Sequence, residues 1–155
     1  MRAVCSCGEA FFVAAEMERR AIRFYERAEM LFSEGEVSGR IKSILQDERK
    51  HLARFIAFGA QTPFDAENGA LLSAESASLI FAGGMTEAVR NGAFASEKAL
   101  LTYAIRQEQN AINAYERFAA SFDALDEQKQ AFIQIANEEK RHLQDLNAAL
   151  SSAKE

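Results

Sequence analysis

The chain has 155 residues, 8 Gly, 1 Pro and a formal net charge of −5, with Ala, Glu, Leu, Arg and Gln abundant. Helix formers at that density predict an all-α fold, and the length suits a single domain, residues 1–155, large enough to bury a core. The acidic balance leaves no basic footprint for nucleic acid. No run of about 18 apolar residues is present to cross a membrane, and Met1-Arg2-Ala3-Val4-Cys5 lacks the apolar core of a signal peptide, so a cytoplasmic protein is expected.

Cys5 and Cys7 form a lone Cys-x-Cys. A bridge between residues so close is sterically awkward, and reduced thiols in a frayed N-terminus are expected. No Cys-x-x-Cys pair exists from which a rubredoxin-type Fe(Cys)₄ domain could be built.

Four long amphipathic stretches follow. The first runs from about Glu9 to Phe32, with the seam Phe11, Ala15, Glu18, Ile22, Tyr25. Residues 33–39 read as a loop rich in helix-stopping residues. The second runs from about Arg40 to Phe58, with the seam Ile41, Ile44, Glu48, His51, Phe55, Phe58, and Gly59 and Pro63 end it. Residues 60–95 carry Pro63, Asn68-Gly69, Gly83-Gly84 and Asn91-Gly92. This segment reads as a crossover holding short helices around Ala74–Phe81 and Thr86–Arg90, since so long a structureless loop would be unusual in a compact domain. The third stretch starts at Ser96, an N-cap residue, and ends near Phe122. Its seam is Leu101, Ala104, Glu108, Ala111, Tyr115, Phe118, Phe122. The fourth begins after Asp123 or Asp126 and ends near Leu150, with the seam Phe132, Ile135, Glu139, His142, Leu146. A frayed tail, 151–155, is expected to follow.

The chemistry sits in those seams. Both histidines of the chain lie three residues after a glutamate, in Glu48-Arg49-Lys50-His51 and Glu139-Lys140-Arg141-His142. Two such matches arise by chance on the order of once in a hundred. On a helix, i and i+3 share a face, so each segment aims one carboxylate and one imidazole at one point. Both groups are ligands for Fe, Mn or Zn. The pattern is also an internal repeat: Glu18 with Tyr25 matches Glu108 with Tyr115, and the spacing between equivalent residues is 90 or 91. Each half supplies a Glu and then, about thirty residues on, a Glu-x-x-His. Reflecting Glu18 through a turn near residue 35 lands near His51, and reflecting Glu108 through a turn near 123 lands near Glu139, so each hairpin sets its ligands at one height. Buried carboxylates are costly unless they are paired or hold a metal. The pattern therefore points to a dinuclear metal site built from Glu18, Glu48, His51, Glu108, Glu139 and His142.

Together these motifs resemble the rubrerythrin-like branch of the ferritin-like di-iron carboxylate superfamily, over about residues 10–150 and without the rubredoxin domain; this ligand set is a named example of such bundles. The resemblance implies a four-helix bundle with a long crossover between its second and third helices and two iron ions, with Mn or Zn possible in their place. It implies that Glu48 and Glu139 bridge the metals, while Glu18 with His51, and Glu108 with His142, each cap one; spacing alone does not assign each terminal ligand to a metal. It implies that Tyr25 and Tyr115 hydrogen-bond ligand carboxylates. The expected activity is reduction of H₂O₂ or O₂, with a rubredoxin-like external electron donor and a homodimeric assembly; the alternative is an iron-sequestering protein without turnover. The chain departs from rubrerythrins at Ala111, one turn after Glu108, where they carry an extra carboxylate. That puts their peroxidase cycle in doubt here.

Overall fold

The computed structural model describes residues 7–62, 85–121 and 126–153. Within them lie α1 (Cys7–Leu31), α2 (Glu36–Ala60), the short α3 (Met85–Arg90), α4 (Glu97–Ser121) and α5 (Asp126–Ser152). The fold is an all-α bundle. α1 packs most extensively on α2, and α4 on α5; α2 also meets α5 and α1 meets α4, which closes a ring of four long helices.

The apolar seams explain this arrangement, because each long helix hides its stripe only by facing the other three. Positions seven residues from the central glutamates form two buried layers. Phe11, Phe55, Tyr115 and Phe132 lie on one side of the glutamate level, and Tyr25, Ile41, Leu101 and Leu146 on the other. The first layer is aromatic and tightly stacked: Phe11 lies 4.7 Å from Phe132, ring centre to ring centre, and 5.4 Å from Phe58, both pairs close to parallel. The four glutamates and two histidines are therefore sealed above and below by apolar side chains.

Several boundaries differ from the expected ones. α2 starts at Glu36, inside the stretch expected to be a loop. Within residues 33–39 only Gly35 takes a positive φ, 89°, and it reverses the chain. Val37 and Ser38 are already buried, and Arg40 pairs with Glu36 at 2.9 Å across the first turn. Gly39 is carried inside the helix at the usual cost of about 1 kcal/mol relative to Ala. α5 continues past Leu150 to Ser152, because Ser151 and Ser152 turn their hydroxyls back onto the carbonyls of Asn147 and Ala148. At the start of α4, Ser96 Oγ accepts the Ala99 amide at 3.0 Å, the expected cap. The short helix expected over Thr86–Arg90 is α3. The one expected around Ala74–Phe81, most of the crossover with Pro63, Asn68-Gly69 and Gly83-Gly84, and Cys5, Phe122 and Asp123 lie outside the described residues. No helix among the described residues is long and apolar enough to cross a membrane.

Candidate metal centre

Each long helix brings its glutamate to the middle of the bundle, and α2 and α5 add a histidine one turn later. All six of these side chains are buried. They form two overlapping groups: Glu18, Glu48, His51 and Glu139, and Glu48, Glu108, Glu139 and His142, each with one ligand atom per residue within 4.8 Å of the others. Glu48 and Glu139 belong to both groups, the positions at which the resemblance places bridging carboxylates. Each hairpin does set its ligands at one height, with Glu18 Oε1 3.7 Å from His51 Nδ1 and Glu108 Oε1 3.9 Å from His142 Nδ1.

The imidazoles turn their Nδ1 atoms into this cage. His51 Nδ1 lies 2.8 Å from Glu139 Oε1 and 3.4 Å from Glu48 Oε1. His142 Nδ1 lies 3.3 Å from both Glu48 Oε1 and Glu139 Oε2. The two rings are 5.9 Å apart and inclined by 27°. Their outer nitrogens face carboxylates that sequence reading missed: His51 Nε2 is 3.0 Å from Glu138 Oε2, and His142 Nε2 is 2.9 Å from Asp47 Oδ2. An ionised carboxylate only accepts, so Nε2 carries a proton in each ring, and in the neutral tautomer the Nδ1 lone pair points into the cage. The pairing crosses between halves, since each histidine is oriented by the acid that precedes the other half's Glu-x-x-His. The signal was present in the sequence: both motifs read acid-Glu-x-x-His, in Asp47-Glu48 and Glu138-Glu139.

The tyrosines cross over in the same way. Tyr25 donates its hydroxyl to Glu108 Oε1 and Tyr115 donates to Glu18 Oε1, each at 2.7 Å. They therefore serve the carboxylate of the opposite half, not the one two turns away on their own helix.

Electrostatics show how costly this arrangement is without a cation. Burial, followed by the charges of Glu48 and Glu139, pushes Glu18 well above the carboxylate range. Burial, followed by Glu139 and Glu48, does the same to Glu108. Glu139 is driven the other way: burial opposes its charge, but hydrogen bonds from Glu108, His142 and His51 outweigh that and hold it low. Burial disfavours charge on both imidazoles as well. Hydrogen bonds to Glu139, Glu18 and Glu48 overcome this and raise His51 strongly, and those to Glu139 and Glu48 push His142 up to about 12. Burial and the adjacent Glu108 and Glu18 charges lift Tyr25 and Tyr115, respectively, well above the phenol range.

A metal fits these residues on two counts. Glu18 Oε2 is buried without a hydrogen-bond partner, while His51 Nδ1, Glu48 Oε1 and Glu139 Oε1 crowd one another inside the cage, and buried polar atoms so placed call for an ion or a water. Four carboxylates also carry the charge that two divalent cations would cancel, whereas unpaired charges buried together are strongly destabilising. At the position of the rubrerythrin carboxylate, Ala111 is buried and contributes no polar atom.

The Rubrerythrin family model matches residues 99–155, the span that carries Glu108, Tyr115, Glu138, Glu139 and His142. No curated protein and no solved structure matches the chain.

Proposed function

We infer that this rubrerythrin-like protein is a non-haem di-iron oxidoreductase that reduces H₂O₂ or O₂. The observation that carries the reading is the pair of four-residue groups sharing Glu48 and Glu139, with both histidine Nδ1 atoms turned inward. Glu48 and Glu139 would bridge two metals, Glu18 and His51 would hold one, and Glu108 and His142 the other. Two ferrous ions held by these residues would supply the two electrons that reduction of the oxidant needs.

The protein's own groups set the conditions for that chemistry. Asp47 and Glu138 fix the imidazole tautomer, a role whose loss in metal sites costs metal affinity. Tyr25 and Tyr115 hold Glu108 and Glu18 in place and stand ready to give or take a proton at Glu108 Oε1 and Glu18 Oε1. The phenylalanine layer around Phe11 and Phe132 keeps bulk water away from the cage. Residues 1–155 hold no paired Cys-x-x-Cys, and a rubredoxin-like protein is the proposed electron donor.

Anaerobic reconstitution with ferrous iron, metal analysis and stopped-flow mixing with one equivalent of H₂O₂ test this reading. Saturation near two irons per chain and a single fast oxidation, seen as near-UV absorption of ferric iron, support it. Uptake of tens of irons per chain would identify a sequestering protein instead. Fast oxidation by O₂ with indifference to peroxide would leave an oxidase, the outcome that Ala111 favours over a rubrerythrin-type peroxidase cycle.

A further inference from the structure

The chain contains three tyrosines and no tryptophan. Two of the tyrosines bond the cage, and their surroundings break the symmetry of the repeat. Tyr115 is set among phenylalanines, with Phe55 at 5.2 Å and Phe132 at 6.3 Å. Tyr25 instead meets Phe24 edge-on at 5.2 Å, and Phe24 also stacks on Tyr103 at 5.2 Å. Phe24 has Ala114 as its repeat equivalent, and Tyr103 has Val13, so the second half offers no matching path. Tyr103 in turn lines an open cavity of about 590 Å³ together with Ser96, Lys98, Thr102 and Arg106. That volume is in the range of small-molecule sites, and its two charged lining residues are cationic.

We propose that Tyr103, Phe24 and Tyr25 form a one-sided electron relay from this surface cavity to the carboxylate cage, and that Tyr103 receives electrons there from a small anionic one-electron donor. The proposal rests on the oxidoreductase reading above, with H₂O₂ as the terminal oxidant. In the first step, with iron held by the cage and oxidised by H₂O₂, Tyr25 would give one electron to that metal, and its hydroxyl proton would leave to Glu108 Oε1 along the existing 2.7 Å bond. In the second, Tyr103 passes an electron across the Phe24 ring to the Tyr25 phenoxyl radical. Tyr25 takes its proton back from Glu108, and Tyr103 loses its own proton to water in the cavity. In the third, the donor reduces the Tyr103 radical by one electron, and water returns the proton. One electron moves from donor to cage per cycle, and every tyrosine ends as it began.

Flash-quench oxidation of the metal-free protein with tris(bipyridine)ruthenium tests the relay without any iron chemistry. A tyrosyl radical should appear by electron paramagnetic resonance in the wild type. It should be retained in Tyr115→Phe. Most of the signal should be lost in Tyr103→Phe, a change that removes one hydroxyl and leaves the ring on Phe24. Absence of a radical in the wild type, or full yield in Tyr103→Phe, overturns the relay. Ascorbate, an anionic donor, should quench the wild-type radical at a rate that falls with added salt and falls further in Arg106→Glu. Indifference to both overturns the cavity as the donor site. A working relay in a protein whose diferrous form ignores peroxide would instead remove the oxidoreductase reading alone.

Discussion

Replacing Glu18 by Gln should stabilise the metal-free protein and weaken the metal-loaded one. Gln keeps an acceptor for the Tyr115 hydroxyl, now at 2.7 Å from Glu18 Oε1, and removes a charge that burial and two neighbouring carboxylates oppose. The folded carboxyl lies well above its ordinary 4.5, so folding loses stability as pH rises from 4.5 towards the folded value. Each pH unit crossed costs about 1.36 kcal/mol, so at pH 7 the penalty is capped at about 3 kcal/mol, and at pH 5 at less than about 1 kcal/mol. A chain of this size shifts its melting temperature by about 2–4 °C per kcal/mol. The metal-free Glu18→Gln protein should therefore melt above the metal-free wild type by up to roughly 6–12 °C at pH 7, and by only about 1–3 °C at pH 5. Metal should reverse the order. A free metal concentration about 1,000 times the dissociation constant adds about 4 kcal/mol to the wild type, and the variant should lose much of that gain. Calorimetry of both proteins, with and without Zn(II) or ferrous iron under argon, measures all of these quantities. A metal-free variant melting at or below the wild type, or a gap that does not widen between pH 5 and pH 7, would refute the account of Glu18 as a strained ligand.

Three further outcomes follow from the same geometry. Glu48→Ala and Glu139→Ala should lose far more metal on dialysis than Glu26→Ala or Glu116→Ala, whose carboxylates sit on the surface pairing Arg49 and Lys140; equal retention by metal analysis would remove the site assignment. The imidazoles are raised above 6.5, so their stabilisation of the metal-free fold is complete below pH 6.5 and declines as pH rises towards the folded values, about 12 for His142. Metal needs neutral rings and ionised carboxylates, so loading at pH 7 should release about two protons per chain from the imidazoles and more from Glu18 and Glu108, and retention should fail as pH drops below about 6; calorimetry in buffers of different ionisation enthalpy counts the protons, and occupancy unchanged from pH 8 to pH 4 would exclude histidine ligands. Asp47→Asn and Glu138→Gln should each lower metal affinity by about 10–100-fold, and competition with a chromogenic chelator showing unchanged affinity would mean that the Nε2 contacts orient nothing.

The positions of Glu18, Glu48, Glu108 and Glu139 were readable because each interrupts an apolar seam of period 3.6, and a bundle turns every such seam to one axis. The reflection through residue 35 placed Glu18 opposite His51 because a short turn fixes the register of an antiparallel pair. What could not be read is anything set by packing between the hairpins. The resemblance gives Tyr25 a ligand carboxylate without saying which, and it reaches Glu108, because the choice depends on how α1 faces α4. Asp47 and Glu138 each precede a Glu-x-x-His in the sequence, but only the rotation of α2 against α5 turns them onto the opposite histidines. The start of α2 was misjudged because Gly35 and Gly39 look alike in sequence, although only Gly35 takes a positive φ.

The crossed bonds carry a consequence for how such a chain could arise. Tyr25 reaches Glu108 while Tyr115 reaches Glu18, and His51 reaches Glu138 while His142 reaches Asp47. Contacts in which i meets j and j meets i define an isologous two-fold interface. An ancestral helical hairpin bearing one Glu, one Tyr and one acid-Glu-x-x-His would therefore complete all of these bonds by pairing with an identical copy of itself. Fusion of two copies through residues 61–96 would change none of them. It would free each half to drift separately, and Phe24 with Tyr103 on one side, against Ala114 with Val13 on the other, is the kind of divergence that a homodimer of hairpins could never hold.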